Sequence, residues 1–83
     1  MTKLEEKLIE LGYGYSSFYG VEKEFIKLVN GATLYINYNI HTLKYSGWCW
    51  GDTRHITKQT IKLHQQAFNQ LQKDLEVLKE YEN

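Results

Sequence analysis

The sequence predicts an α+β domain of order α-β-β-β-α: a short N-terminal helix, a three-stranded antiparallel β-meander and a long C-terminal helix packed on the sheet. Three observations predict it. Apolar or near-apolar residues recur at Ile61, His64, Phe68, Leu71, Leu75 and Leu78, a 3-4-3-4-3 spacing that makes one helical stripe. Asn30-Gly31, between two β-prone runs, is a strong hairpin signal because both residues tolerate positive φ. Leu34, Ile36, Tyr38 and Ile40 alternate with Thr33, Tyr35, Asn37 and Asn39, the period of a strand with one apolar face.

At the N-terminus, Thr2 and Glu5 fit the capping box, in which each side chain satisfies a backbone N–H of the other. Leu4, Leu8 and Leu11 then share a face and Gly12 can end the helix, which predicts a helix over residues 3–11. So short a helix is marginal in water, so its leucines must pack on something. Tyr13 to Gly20, YGYSSFYG, has no steady period and reads as a loop or an irregular edge strand. The three strands are expected at Phe25–Val29, Thr33–Ile40 and Leu43–Trp50. The last has a phase problem, because strict alternation puts Trp48 and Trp50 opposite Leu43 and Tyr45. A β-bulge at Ser46-Gly47 would reset it. The long helix is expected from Thr57, as N-cap, to Tyr81, with Ile56 stapled on Ile61. It would span ~36 Å, longer than the sheet, so part of it overhangs.

With 83 residues the chain predicts one domain, 1–83, and only roughly 60 to 65 per cent of the unfolded surface would be buried. A hydrophobic content of 42% against 24% charged excludes a disordered segment. Ten basic and ten acidic side chains cancel, so any electrostatic function must be local. The single cysteine, Cys49, excludes an internal disulfide and fits a reducing compartment. No run approaches the ~20 apolar residues of a membrane span and the N-terminus carries no signal-peptide core. A cytoplasmic protein without membrane contact is the expectation.

No catalytic motif is present. Gly12, Gly14 and Gly20 do not form a nucleotide-binding fingerprint. Cys49, Asp52 and His55 lie close in sequence, but Asp52 reads as turn chemistry and a metal would need a fourth ligand such as His41. No metal and no cofactor are expected. His64 falls on the seam of the long helix and reads as a core or boundary residue. Two features are left for binding. Ten of the twelve aromatics lie between Tyr13 and Trp50. Most are expected in the core, but an uncovered sheet face carrying Tyr35, Trp48 and Trp50 would be a protein-binding hot spot or a base-stacking platform. The second is a local excess of cations, Lys44, Arg54, Lys58 and Lys62 against Asp52 alone in residues 41–64. Arg54, Lys58 and Lys62 are spaced by four around a helix N-terminus, where they and the tryptophans could meet phosphate or an acidic partner. The helical seam also permits a homodimer through the C-terminal helix, using an overhanging end with Leu75, Leu78 and Tyr81.

LEEKLIELGY at the N-terminus and QQAFNQLQKDLEVLKEY, Gln65 to Tyr81, resemble small accessory proteins encoded by bacteriophages and prophages of low-GC Gram-positive bacteria. The resemblance covers about a third of the chain, in its two helices, and carries over no functional residue. It implies a non-enzymatic protein that binds and blocks a host component, since several such proteins are inhibitors of CRISPR nucleases (anti-CRISPR proteins). The neutral charge does not suit DNA mimicry. The expected function is inhibition of a host defence protein, foremost a Cas nuclease, through Tyr35, Lys44, Trp48, Trp50, Arg54, Lys58 and Lys62. The alternative is a small nucleic-acid-binding module built on the same basic-aromatic patch.

Overall fold

The computed structural model describes residues 2–51 and 58–81, apart from the side chains of residues 51, 58–60 and 81. The chain folds as helix α1 (Lys3–Glu10), strands β1 (Gly14–Tyr19), β2 (Glu22–Val29), β3 (Ala32–Asn39) and β4 (Tyr45–Gly51), then helix α2 (Lys58–Leu78), which tightens into a 3-10 turn (Lys79–Tyr81). The strands form one antiparallel meander in the order β1-β2-β3-β4, and both helices cover the same face. The α+β class and the helix–sheet arrangement agree with the sequence reading; the strand count is four, not three.

The additional strand is β1. Tyr15 pairs with Phe25 but Ser17 pairs with Glu24, so a bulge at Ser16 inserts one residue and reverses the side-chain phase. Tyr15 and Phe18 therefore share the covered face, Tyr15 meeting Phe25 edge-on at 5.8 Å. The bulge is here and not at Ser46-Gly47: β4 pairs with β3 without any shift from Tyr45↔Tyr38 to Gly51↔Ala32. Gly47 has another reason to be glycine. A Cβ there would lie 3.1 to 3.3 Å from the methyl groups of Leu71 and Leu75, so α2 comes down on the sheet at the point where β4 has no side chain.

The turns follow their residue chemistry. Asn30 and Gly31 take φ of 51° and 80°, as a two-residue type I′ hairpin requires. Between β3 and β4, the Asn39 carboxamide oxygen accepts from the backbone N–H of His41 and Thr42, which allows Leu43 a φ of 59°. Leu43 thus belongs to the turn, not to the strand. At the end of α1 the Tyr13 N–H donates to the Leu8 carbonyl and the Gly12 N–H to that of Ile9, a Schellman cap with Gly12 at φ 101°. Thr57 and Ile56, read as the cap and staple of the second helix, lie outside the described residues.

The core comprises Leu4 and Leu8 of α1, Tyr13, Phe25, Ala32, Leu34, Ile36 and Tyr38, and Ala67, Leu71 and Leu78 of α2. The buried stripe of α2 is Ala67, Leu71, Asp74 and Leu78; Ile61 and Phe68 of the expected stripe are exposed. Leu71, Leu75 and Leu78 lie on the core as the stripe predicts, and the departure is in the first half of the helix, where Ala67 is buried in place of Phe68. Leu78 is fully buried and Leu75 packs on Gly47, so the end expected to overhang lies on the domain's own core. None of Ile61 to Gln66 is buried, which makes the first half of α2 the freer one.

Two polar clusters tie the helices to the sheet. The Asp74 carboxylate, 2% exposed, accepts from the Tyr13 hydroxyl at 2.8 Å, the Lys27 ammonium at 3.0 Å and the Gln70 amide at 3.0 Å. The Lys27 ammonium also donates to the Leu11 carbonyl at 2.8 Å and lies over the Tyr13 ring. Glu5 accepts from the Tyr38 hydroxyl and from Lys23 at 3.1 Å. Thr2 caps Glu5 N–H at 3.1 Å, but the Glu5 carboxylate is spent on the sheet instead of closing the predicted box. Among the described residues, no buried side-chain polar atom lacks a partner.

Burial, the hydrogen bond to Asp74 and its negative charge together push the Tyr13 hydroxyl far above the ordinary value of about 10. The folded state holds this proton more tightly than the unfolded chain. Its contribution is therefore complete below about pH 10 and is lost as pH rises above it. Unfolding free energy measured between roughly pH 9 and 12 should fall for the native sequence, with Tyr13 supplying up to ~1.4 kcal/mol per pH unit. Tyr13→Phe should start lower and fall less steeply; equal slopes would show that Tyr13 ionises as freely in the fold as in the unfolded chain.

Candidate binding face

Strict pairing of β2, β3 and β4 sends alternate side chains to the face that carries no helix. The residues gather in rows across the sheet. One row is Leu28, Thr33 and Trp50, and the next is Ile26, Tyr35 and Trp48. Beyond them come Ser17, Glu24, Asn37 and Ser46, then Tyr19, Glu22 and Asn39. The open face is thus divided along the strands into an aromatic half and a polar half. In the aromatic half, Tyr35 and Trp48 stack with ring centroids 3.8 Å apart and planes within 4°. Trp48 remains 45% exposed, Trp50 56% and Leu28 75%, a solvent-facing apolar surface beside a rigid stack. In the polar half the Ser17 hydroxyl donates to Glu24 at 2.8 Å, and a shallow cavity of ≈ 370 Å³ opens between Glu22, Asn39 and Lys44.

The phase of β4 decides this arrangement. With no bulge, Tyr45, Gly47 and Cys49 face the helices and both tryptophans face solvent. Cys49 is half-buried against the core, and burial pushes its thiol up, away from the thiolate that a nucleophile requires. Asp52 and His55 lie outside the described residues. Among the described residues no group of three or more His, Cys, Asp or Glu side chains could hold a metal ion, and no helix is long and apolar enough to cross a membrane.

The expected site residues separate accordingly. Tyr35, Trp48 and Trp50 come together. Lys44 stands at the polar end, four residues from Trp48 and so ~13 Å along the strand. Lys62 is exposed on α2, in the layer behind the sheet. Arg54 and the side chain of Lys58 lie outside the described residues. Lys44 and Lys62 thus do not join the tryptophans in one patch. Ile26 and Leu28 complete the face and were missed by sequence reasoning. The signal was in EKEFIKLV: Lys23 and Lys27 share the phase of Phe25, so they belong to the covered face and leave Ile26 and Leu28 outside.

We find no family model, curated protein or solved structure that matches the chain.

Proposed function

We propose that this chain is a non-catalytic binding protein that docks on a partner protein through the aromatic half of its open sheet face. The observation that carries the reading is the rigid Tyr35–Trp48 stack flanked by exposed Trp50 and Leu28 on a face free of both helices. Tryptophan and tyrosine on a preorganised surface lose little side-chain entropy on binding, and they supply the central anchors of protein interfaces. Glu22, Glu24 and Lys44 at the polar end give such an interface a mixed rim. In its specific form, prompted by the resemblance of the two helices to phage accessory proteins, the partner is a host defence component, foremost a CRISPR nuclease, and binding inhibits it.

Affinity capture from host lysate, followed by cleavage assays with the nucleases of that host, tests both forms. Trp48→Ala and Trp50→Ala should each weaken capture by about thirtyfold, or ~2 kcal/mol, while far-UV circular dichroism stays unchanged. Retained capture by both variants would refute the face. Capture without inhibition of any nuclease would refute the specific form alone. Binding to oligonucleotides that falls steeply with salt would instead favour the nucleic-acid reading, with phosphate contacts from cations beyond the tryptophan rows.

A further inference from the structure

Strand β2 separates its charges by sign. Its sequence, EKEFIKLV, holds two glutamates and two lysines, but alternation sends Glu22 and Glu24 to the open face and Lys23 and Lys27 to the covered one. The lysines are held there by acids of the two helices, Lys23 by Glu5 at 3.1 Å and Lys27 by Asp74 at 3.0 Å. The glutamates have no such counterpart. Among the described residues neither is in an ion pair, and Glu24 accepts only from the Ser17 hydroxyl. A strand that is neutral in sequence thus puts two uncompensated carboxylates on the face that carries the tryptophans.

The remaining strand positions of the open face are uncharged. Lys44 stands at its far end, on the level of Glu22: the Lys44 carbonyl accepts from the Asn39 N–H, and Asn39 is the partner of Glu22. Glu24 lies one row nearer to the aromatics. Its partner on β3 is Asn37, which makes Tyr35 its diagonal neighbour at roughly 7 to 8 Å. Along the strands the order is therefore Trp50, then Trp48 stacked on Tyr35, then Glu24, then Glu22 level with Lys44. The charge next to the stack is negative, so it attracts a cation and repels phosphate.

We propose that the partner segment docking on this face is basic: an arginine flanked by large apolar residues. The apolar residues cover Trp50 and Leu28, and the guanidinium lies between the Tyr35–Trp48 stack and Glu24. Arginine suits both borders, because its planar head lies flat on aromatic rings and meets a carboxylate with two parallel N–H donors. The inference rests on the reading of the aromatic half-face as a protein-binding surface and gives that partner its chemistry. It reverses the sign expected from the sequence, where cations grouped with the tryptophans pointed to phosphate or an acidic partner.

Selection of a random peptide display library on the immobilised full chain tests it, followed by affinity measurement with the selected peptides and with a single-stranded oligonucleotide. The expected binders are rich in arginine beside apolar residues and are lost with Trp48→Ala. Glu24→Gln, which keeps an acceptor for Ser17, and Glu22→Gln should each weaken them by about fivefold at unchanged circular dichroism. Reversing both charges, with Glu22→Lys and Glu24→Lys together, should weaken them by about a hundredfold and make a repeated selection return acidic peptides. Binders that need Trp48 but show no excess of basic residues, or that both glutamine variants leave unchanged, overturn this inference and leave the binding face standing. Binders indifferent to Trp48→Ala and Trp50→Ala, or no binders at all, remove the face and the inference together. An oligonucleotide that binds more tightly than the peptides, and is lost with Trp48→Ala, overturns it in favour of nucleic acid.

Discussion

Replacing Asp74 by alanine should remove about 3 kcal/mol or more of folding stability, enough to lower the melting temperature by roughly 12 °C or more in a domain of this size. The carboxylate is 2% exposed and is the common acceptor for Tyr13, Lys27 and Gln70. Without it, the ammonium of Lys27, whose side chain is 17% exposed, keeps only the Leu11 carbonyl as acceptor. A buried charge whose partner is removed costs more than the pair itself ever contributed. Two comparisons separate the charge from the packing. Asp74→Asn keeps the shape and an acceptor oxygen and should fall between alanine and the native sequence. Asp74→Leu combined with Lys27→Met removes both charges and should recover most of the loss, since a well-packed apolar pair often equals a buried ion pair. Denaturant titration measures all of these. A loss below ~1 kcal/mol for Asp74→Ala would mean that Lys27 turns to solvent and that the pair is a surface feature.

This cluster was illegible in the sequence for a physical reason. Periodicity assigns burial by hydrophobicity, so it gives a buried Asp74 or Lys27 no place, and Glu5 was read only as the partner of Thr2 in a capping box, whereas both carboxylates accept from groups of another element. Asp74 lies 47 residues from Lys27 and 61 from Tyr13, and no local pattern joins them. The legible parts were those whose cause is local. The Asn30-Gly31 turn needs only positive φ, the alternation of β3 needs only one buried face, and the capping of α1 at Thr2 and Gly12 needs only neighbouring side chains and backbone. β1 failed for the opposite cause: the bulge at Ser16 moves Tyr15 and Phe18 to one face at a spacing of three, which erases the period that would have announced a strand.

The candidate face was half legible. Tyr35, Trp48 and Trp50 were nameable because they are large, aromatic and at alternate positions; that they share a face depended on the phase of β4, which Ser46-Gly47 left ambiguous. The cations were grouped by nearness in sequence and, for Arg54, Lys58 and Lys62, by a spacing of four around a helix N-terminus. Lys44 and Trp50 stand near opposite ends of one strand, and Lys62 belongs to the next element, so a chain that turns back on itself distributes them over two layers.

Gly47 is where those two ambiguities meet, and substitution there distinguishes the two uses of a glycine. If it served a bulge, alanine would be harmful through backbone strain, and nothing on α2 could relieve it. As a helix-approach glycine it should respond to volume. The Cβ of alanine meets three leucine methyl carbons at 3.1 to 3.3 Å, contacts that small rotations of Leu71 and Leu75 can relax, so Gly47→Ala should change stability by less than ~1 kcal/mol. Valine adds two methyl groups in the same place, lifts α2 from β4 and should cost about 3 kcal/mol. Combining Gly47→Val with Leu75→Ala supplies the missing volume, and the double variant should be at least ~1 kcal/mol more stable than the sum of the two single losses. Strict additivity in this cycle would place α2 further from β4 than the contacts at Gly47 allow.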